Sequence, residues 1–474
     1  MLSRSRILWS AITVLTPVMA MSCGGRDTSP IRTASSKPRL VVRERVLKNF
    51  ARHSLSSSFA SADGRHVVYG VIQPGAARLV VDGKEEAIYD GVATTVAFNP
   101  CNGRVAYCAN RGNRWFVVYN GKESRGYAGI GDRGLIFSPN GQRLAFTAKA
   151  KNGWVVVVDG NEGKPFDGIG AYNFMFSSDS KHVAYVGVRR GMPRVVVDGI
   201  EGQEYNLIGA PSLSFSPDGQ HVAYLAMRIT TTQEPATFIL VDGQEGKSYE
   251  GTGSPIFSPD SRRIAYDAQP HGGKPLLVVD GVEGKQYDQI GQFLFSPDSK
   301  HIAYWAKKQG KYFVILDGVE SGPYDKVCPA PIVFSPDSKR IAYAVKQGSK
   351  SFLVQDGVVG KPYDEISELV FSPDGRQLAF TATRSGKMAV VVNGIEGKFY
   401  DGVAGISFSP KSGHIVYGAS RNKKALLVLD SFETQVYDRF IHGNRLAFDE
   451  MDCVHVVAVR SDEIVYVEAT ITRE

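Results

Sequence analysis

One sequence unit of about forty residues recurs along nearly the whole chain. Its marker is a phenylalanine that opens a variant of Phe-Ser-Pro-Asp-Gly, and successive markers lie 37 to 42 residues apart. The markers are Phe59, Phe98, Phe137, Phe176, Phe215, Phe257, Phe295, Phe334, Phe371 and Phe408. A period held over nine intervals predicts a repeat architecture, in which stacked copies of one supersecondary unit share a continuous core.

Each copy contains four short runs typical of β-strands, which we name a, b, c and d. Strand a is apolar at consecutive positions, as in Met175-Phe176, so both faces of its sheet are expected to be buried. A Ser-Pro-Asp turn joins a to b, and a Val-Asp-Gly turn such as Val158-Asp159-Gly160 joins c to d. Alanine recurs in strand b and leaves room for close sheet packing. The sequence therefore predicts an all-β fold, a β-propeller of about ten to eleven four-stranded blades.

The unit Phe334-Ser335-Pro336-Asp337-Ser338-Lys339-Arg340-Ile341-Ala342-Tyr343 resembles the WD-like repeats of bacterial TolB-type propellers. The resemblance covers roughly residues 40–474 and implies the propeller fold. The second half of the unit, as in Val279 to Asp288, is not part of the TolB pattern. The resemblance is therefore specific for fold and does not carry TolB partners over to this chain.

The two ends of the repeat region predict ring closure. Arg445 to Phe448, Val454 to Val459 and Glu463 to Val467 resemble strands a, b and c of an eleventh unit that has no strand d. Arg39 to Phe50 precedes the first strand a where a strand d belongs, so its pairing would complete the last sheet and hide its edges. Eleven blades exceed the usual range of about four to eight, which leaves one wide ring or two smaller rings as alternatives.

The N-terminus predicts export. Arg4 and Arg6 precede an apolar stretch, and small residues lead to Cys23, as in a bacterial lipoprotein signal. We assign residues 1–22 to a signal peptide, 23–38 to a flexible tether and 39–474 to the propeller. This predicts a lipid-anchored protein of the bacterial cell envelope, facing the periplasm or the cell surface. A secreted protein cleaved after Ala20 is the alternative.

Three patterns suggest chemistry and have structural explanations. Gly129 to Gly134 matches a dinucleotide fingerprint, but strand a of the next blade, and no helix, follows it. Histidines recur at the start of strand b, where other copies have arginine or glutamine, which are not normal metal ligands. Acids recur on strand d, at Asp90, Asp167, Glu250, Asp288, Asp325, Asp364, Asp401 and Asp438, and strand-end hydrogen bonding within the blade explains them better than catalysis. We assign no catalytic residue, no metal and no cofactor.

The b–c hairpins vary between copies and carry twenty basic residues against two acidic ones. Because alternate hairpins lie on opposite faces of a propeller, one face is predicted to be basic, less so if the strand d acids share its rim. The residues assigned to partner binding are Arg111, Arg114, Lys149, Lys151, Arg189, Arg190, Lys307, Lys308, Lys311, Lys346, Lys350, Arg384, Lys387, Arg421, Lys423 and Lys424. Neighbouring aromatic residues, including Trp115 and Trp154, are candidate anchors.

These features predict a non-catalytic binding or scaffold protein of the envelope. The expected partner is an envelope protein or an anionic polymer, with membrane attachment through the lipid anchor and no contact with nucleic acid. One alternative is a carbohydrate or small-ligand receptor that uses the propeller channel. Another is a propeller-type lyase, which would need His, Tyr and Arg clustered in one sector.

Overall fold

The computed structural model describes residues 38–473, apart from 50–57, 74, 230–234, 329, 412, 442–445 and 462. The compact unit that begins at Pro38 is a β-propeller of eleven antiparallel sheets. Cys23 and the segments assigned to a signal peptide and to the tether up to residue 37 lie outside the described residues. Among the described residues, no helix is long and apolar enough to cross a bilayer.

The blades follow one another along the chain, each with strands in the order a, b, c, d. Their bounds in blades 1 to 4 are Ser58–Ala60, Val67–Gln73, Ala76–Val81, Lys84–Glu85; Gly91–Phe98, Val105–Arg111, Arg114–Tyr119, Lys122–Glu123; Gly129–Phe137, Leu144–Ala150, Gly153–Val158, Asn161–Glu162; and Gly168–Phe176, Val183–Arg189, Met192–Val197, Ile200–Glu201.

Strand a consists of two short pieces in blades 5, 6 and 8. The bounds in blades 5 to 8 are Leu207–Ile208 with Ser214–Phe215, Val222–Arg228, Ala236–Val241, Gln244–Glu245; Gly251–Thr252 with Ile256–Phe257, Ile264–Gln269, Leu276–Val279, Val282–Gln286; Gln289–Phe295, Ile302–Lys308, Lys311–Leu316, Val319–Tyr324; and Lys326–Val327 with Val333–Phe334, Ile341–Gln347, Lys350–Gln355, Val358–Tyr363. Those in blades 9 to 11 are Glu365–Phe371, Leu378–Arg384, Lys387–Val392, Ile395–Glu396; Gly402–Phe408, Ile415–Arg421, Lys424–Leu429, Phe432–Glu433; and Arg439–Phe440, Cys453–Arg460, Glu463–Arg473, Pro38–Asn49.

The turns form as their residue types predict. In the Val-Asp-Gly turn, Asp159 and Gly160 have φ values of 52° and 84°, the pair of positive values that a two-residue type I′ hairpin requires. In the Ser-Pro-Asp turn, the buried Ser296 hydroxyl donates to Asp298 over 2.6 Å and accepts the His301 amide over 2.9 Å. These bonds lie within the hairpins and do not depend on the packing of one blade on another.

The apolar core lies between blades rather than inside one blade. Eleven clusters of buried side chains can be distinguished among the described residues, and each draws on two successive blades. One of them joins Val457 and Tyr466 of blade 11 to Val67 and Tyr69 of blade 1. Since every blade has its neighbour on both sides, the propeller is one ring of eleven blades, and the alternative of two smaller rings is wrong. Ala145, Ala303 and Ala342 of strand b are fully buried at these interfaces, as the packing argument predicts.

The expected closure of the ring is confirmed, with one difference in its details. Pro38–Asn49 pairs antiparallel with Glu463–Arg473, from Pro38 opposite Arg473 to Asn49 opposite Glu463. Strand a of blade 11 was expected at Arg445 to Phe448, of which Arg445 lies outside the described residues. The regular pairing lies at Arg439–Phe440, and Phe448 forms a further bridge, to Val454. The interrupted strands a of blades 5, 6 and 8 show the same division.

Candidate functional site

The sixteen basic residues assigned to partner binding share one face of the ring. Each lies near the end of strand b, in the b–c turn or at the start of strand c, as Lys308 opposite Lys311 illustrates. The chain also passes from strand d of one blade to strand a of the next on this side of the ring. The same face therefore carries the acids that follow strand d. We call it the bc face, and the face of the a–b and c–d turns the ab face.

The acid after strand d connects two blades. The Asp288 carboxylate accepts a hydrogen bond from Lys274 of its own blade over 2.6 Å, and from the backbone amide of Gln309 in the next b–c turn over 2.7 Å. All eight acids predicted at this position accept such an amide, through the residues Gly112, Arg190, Gly272, Gln309, Gly348, Ser385, Asn422 and Ser461. Strand-end bonding was expected within the blade, but these amide bonds reach the next b–c turn. The Lys274 ammonium, followed by the Gln309 amide, lowers the pKa of Asp288 below its ordinary value.

A second acid position gathers basic side chains from two blades. The Glu433 carboxylate accepts hydrogen bonds from Arg421 of its own blade over 2.6 Å, and from Lys398 and Tyr400 of the preceding blade over 2.7 and 2.8 Å. These donors, Arg421 foremost, lower the pKa of Glu433 to about 2 against the opposing effect of burial. The closing strand has an acid at the equivalent position, since the Glu44 carboxylate accepts hydrogen bonds from Tyr437 and Arg460.

Nine of the sixteen predicted basic residues are therefore neutralised by an acid within the protein. The ion pairs are Arg111–Glu123, Arg189–Glu201, Lys308–Glu320, Lys311–Asp325, Lys350–Asp364, Arg384–Glu396, Lys387–Asp401, Arg421–Glu433 and Lys424–Asp438. Four of the nine pairs have one sequence signal, because a cation at the start of strand c pairs with the acid fourteen residues later, as in Lys350–Asp364. The other five join the end of strand b to strand d at a spacing of twelve residues, as in Arg111–Glu123. A sum of charges over the b–c hairpins omits these acids, because they lie outside the hairpins.

Seven of the predicted basic residues have no ion pair with any described side chain: Arg114, Lys149, Lys151, Arg190, Lys307, Lys346 and Lys423. Four of them, Arg114, Lys149, Lys151 and Arg190, occupy the successive blades 2 to 4, and we call these four the cationic sector.

The cationic sector has a simple origin in the sequence. The residue fourteen positions after Arg114 is Ala128, where eight of the ten complete repeats place an acid, and the Arg114 guanidinium donates to the Gly126 carbonyl over 3.2 Å. Lys149 stands 5.6 Å from the ring centre of the half-buried Trp154. In blades 1 to 4, the carboxylates of Asp90 and Asp167 accept turn amides but have no cationic partner among the described residues. Among the described side chains, the four cations of the sector thus stand beside two carboxylates that lack a cationic partner.

On the ab face, the recurring histidines pair with the aspartates of the Val-Asp-Gly turns. Asp82 accepts the Val67 amide through one oxygen and contacts His66 Nδ1 at 2.8 Å through the other. His182 contacts Asp198 in the same way at 2.6 Å. The Asp82 carboxylate, as hydrogen-bond partner and charge, raises the pKa of His66. Among the described residues, no group of three or more His, Cys, Asp or Glu side chains is arranged to hold a metal ion. The glycine-rich Gly129–Phe137 is strand a of blade 3.

No family model matches the sequence, and no curated protein matches it. Similar solved structures include a eukaryotic initiation factor, with 12% identity over 72% of this chain and 94% of that chain and a TM-score of 0.40. TolB from Acinetobacter baumannii has 16% identity over 68% of this chain and 78% of that chain, with a TM-score of 0.25. The tricorn protease has 10% identity over 88% of this chain and 58% of that chain, with a TM-score of 0.31. These comparisons concern the fold alone, and this chain has the fold of a β-propeller.

Proposed function

We propose that the chain is a non-catalytic scaffold of the bacterial cell envelope that binds an anionic partner through the cationic sector of the bc face. The proposal rests on one observation: the side chains of Arg114, Lys149, Lys151 and Arg190 form no ion pair with a carboxylate of any described residue. Most other cations of this face have one. Cations already paired attract a further anion weakly, since their charge is largely compensated at short range.

The sector also offers an apolar contact. The Trp154 indole is half buried, and the Lys149 ammonium lies over its ring. Tryptophan is over-represented among residues that dominate binding energy, because it brings a large area with few rotatable bonds. A partner that combines carboxylates or phosphates with apolar groups suits this surface, and an acidic envelope protein is the simplest such partner.

The test compares charge reversals on the two faces of the full chain. Lys149→Glu with Lys151→Glu alters the cationic sector, while Lys300→Glu with Lys339→Glu makes the same charge change on exposed lysines of the ab face. Polyglutamate serves as the anionic probe at low and at about 0.3 M salt, because screening shortens the reach of surface charges. We expect at least fivefold weaker retention for the first pair only.

Equal losses in both pairs would show that net charge alone governs retention, and would refute the assignment to this sector. Ala128→Asp gives an independent check, since it supplies the carboxylate that Arg114 lacks and leaves every lysine in place. It should weaken retention as well. Crosslinking of the wild-type chain in cells, followed by mass spectrometry, then identifies the native partner.

Membrane attachment through a lipid on Cys23 belongs to the same proposal. Cys23→Ser should move the protein from the membrane fraction to the soluble fraction. A wild-type protein that is already soluble would contradict the lipid anchor and favour secretion.

A further inference from the structure

At the start of strand b in blade 3, Arg143 reaches across to blade 4. Its Nε donates to Asp159 over 2.8 Å, and its Nη1 donates to the carbonyls of Ser180 and Lys181 over 3.3 and 2.5 Å. The guanidinium carbon stands 5.3 Å from the ring centre of Phe176. The chain thus contains a complete guanidinium site made of one carboxylate, two turn carbonyls and one aromatic ring.

The same site recurs between blades 6 and 7. Arg263 donates to Asp280 over 2.9 Å and to the carbonyls of Ser299 and Lys300 over 3.1 Å each. Its guanidinium stands 5.1 Å from the ring centre of Phe295. Two independent copies show that the interface between blades binds a guanidinium with a fixed geometry.

Between blades 4 and 5, the receiving groups are present and the arginine is not. The residues that hold Arg143 have counterparts thirty-nine positions later in the chain. These counterparts are the ring of Phe215, the carboxylate of Asp198 and the turn residues Gly219 and Gln220. His182 occupies the position that corresponds to the arginine. Together they line a cavity of about 390 Å³ that opens on the ab face. That volume is within the range of roughly 300 to 1,000 Å³ typical of small-ligand sites.

The side chains explain why this interface is open. The His182 imidazole is shorter than an arginine and is held back by Asp198 at 2.6 Å. Position 219 is glycine with φ of 75°, where blade 4 has Ser180 with φ of 66°. His66 and Gly103 form the same pair between blades 1 and 2, but there the imidazole lies directly against the glycine, since an added Cβ would be 1.9 Å from the ring. At Gly219 the imidazole makes no such approach, since an added Cβ would first meet Asp179 at 2.8 Å and Ser177 at 3.2 Å.

We propose that this cavity, which we call the guanidinium slot, binds the arginine side chain of a protein partner. The guanidinium would stack on Phe215, donate to the carbonyls of Gly219 and Gln220, and face the carboxylate of Asp198. A lysine ammonium matches this set less well, because it lacks the planar fork that stacks on a ring while donating in two directions. The slot is on the face opposite the cationic sector, so this inference is independent of the proposed function.

The test uses N-acetylarginine amide and N-acetyllysine amide as probes, with the full chain and ligand-observed NMR. We expect the arginine probe to bind at least fivefold more tightly than the lysine probe. His182→Arg should fill the slot as Arg143 fills its own interface, and so weaken the arginine probe at least tenfold. His301→Arg is the matched control, because it makes the same change between blades 7 and 8, where Ser338 occupies the turn position of Gly219.

A second variant covers the event that His182→Arg disturbs the fold. Phe215→Leu keeps an apolar side chain in the slot but removes the ring, and should abolish the preference for arginine over lysine. Equal binding of both probes to the wild-type chain would overturn the proposal. Unchanged arginine binding in a folded His182→Arg would also overturn it, and so would an unchanged preference for arginine in Phe215→Leu. An equal loss of binding in His301→Arg would overturn it as well.

Discussion

Replacing Glu433 with glutamine tests the acid positions that connect neighbouring blades. The carboxylate receives three donors, from Arg421, Lys398 and Tyr400, and they lower its pKa from 4.5 to about 2. A shift of that size corresponds to at most about 3 kcal/mol of stability at neutral pH. Because the side chain is 23% exposed and solvent screens its ion pairs, we expect about 1 to 2 kcal/mol.

Thermal melting measures this effect. With an unfolding entropy of about 2.1 cal/mol/K per residue, a cooperative ring of this length loses about 1 to 2 °C in Tm, and more if blades 9 and 10 unfold separately. The pH dependence has a definite sign, since a lowered pKa stabilises the folded state above the unfolded value. The difference between wild type and Glu433→Gln should be constant above pH 5, and should shrink as the pH falls from 4.5 towards 2.

Glu450→Gln is the matched control, because this exposed carboxylate has no ion pair with a described residue. It should leave Tm unchanged throughout. The reasoning is refuted if Glu433→Gln melts like wild type at pH 7, or if its deficit persists unchanged at pH 3, where loss of the charge could no longer explain it.

Three further predictions concern packing, titration and closure. Ala303→Leu places extra volume at a fully buried blade interface and should cost about 1 to 3 kcal/mol, visible as a lower Tm; an unchanged melt would contradict close packing there. His66 has a raised pKa, so its pairing with Asp82 stabilises the fold below pH 6.5, and this contribution is lost as the pH rises through the folded pKa. In an NMR titration, Asp82→Asn should return the pKa of His66 towards about 6.5. An unchanged pKa would exclude Asp82 as the cause of the shift. Deleting Pro38–Asn49 leaves the edge of Glu463–Arg473 unpaired and should speed amide hydrogen exchange in that strand. Unaltered exchange would mean that pairing with Pro38–Asn49 does not protect its amides.

The fold was largely predictable because its signals are local and repeated. Turn residues at fixed offsets, consecutive apolar positions in strand a and small residues in strand b determine the blade, and eleven copies make the pattern unambiguous. The number of rings was not predictable in this way, since each blade contacts only its two neighbours. Its determinant is the contact of Val457 and Tyr466 with Val67 and Tyr69, residues nearly a whole chain apart.

The candidate site was predictable in position but not in charge. The hairpin cations do lie on one face, as the alternation of turns requires. Their compensation depends on pairs such as Arg384 with Glu396, which lie at the end of strand b and on strand d and meet across strand c only when the blade folds. Summing hairpin charges therefore could not separate Lys387, which is paired, from Lys151, which has no described partner. The guanidinium slot could not be predicted from the sequence either, because it depends on the space that the His182 side chain leaves between the blades.

The closing strand also imposes an order in time. Asn49 pairs with Glu463, and Pro38 with Arg473, roughly 400 residues later in the chain. At a synthesis rate of about 5 to 20 residues per second, the first strand waits ~20 to 80 s for its partner. An unpaired strand invites association with other chains, and charged residues along an edge oppose this. Arg39, Arg43 and Arg45 are exposed along this strand, and charges at such positions oppose that association.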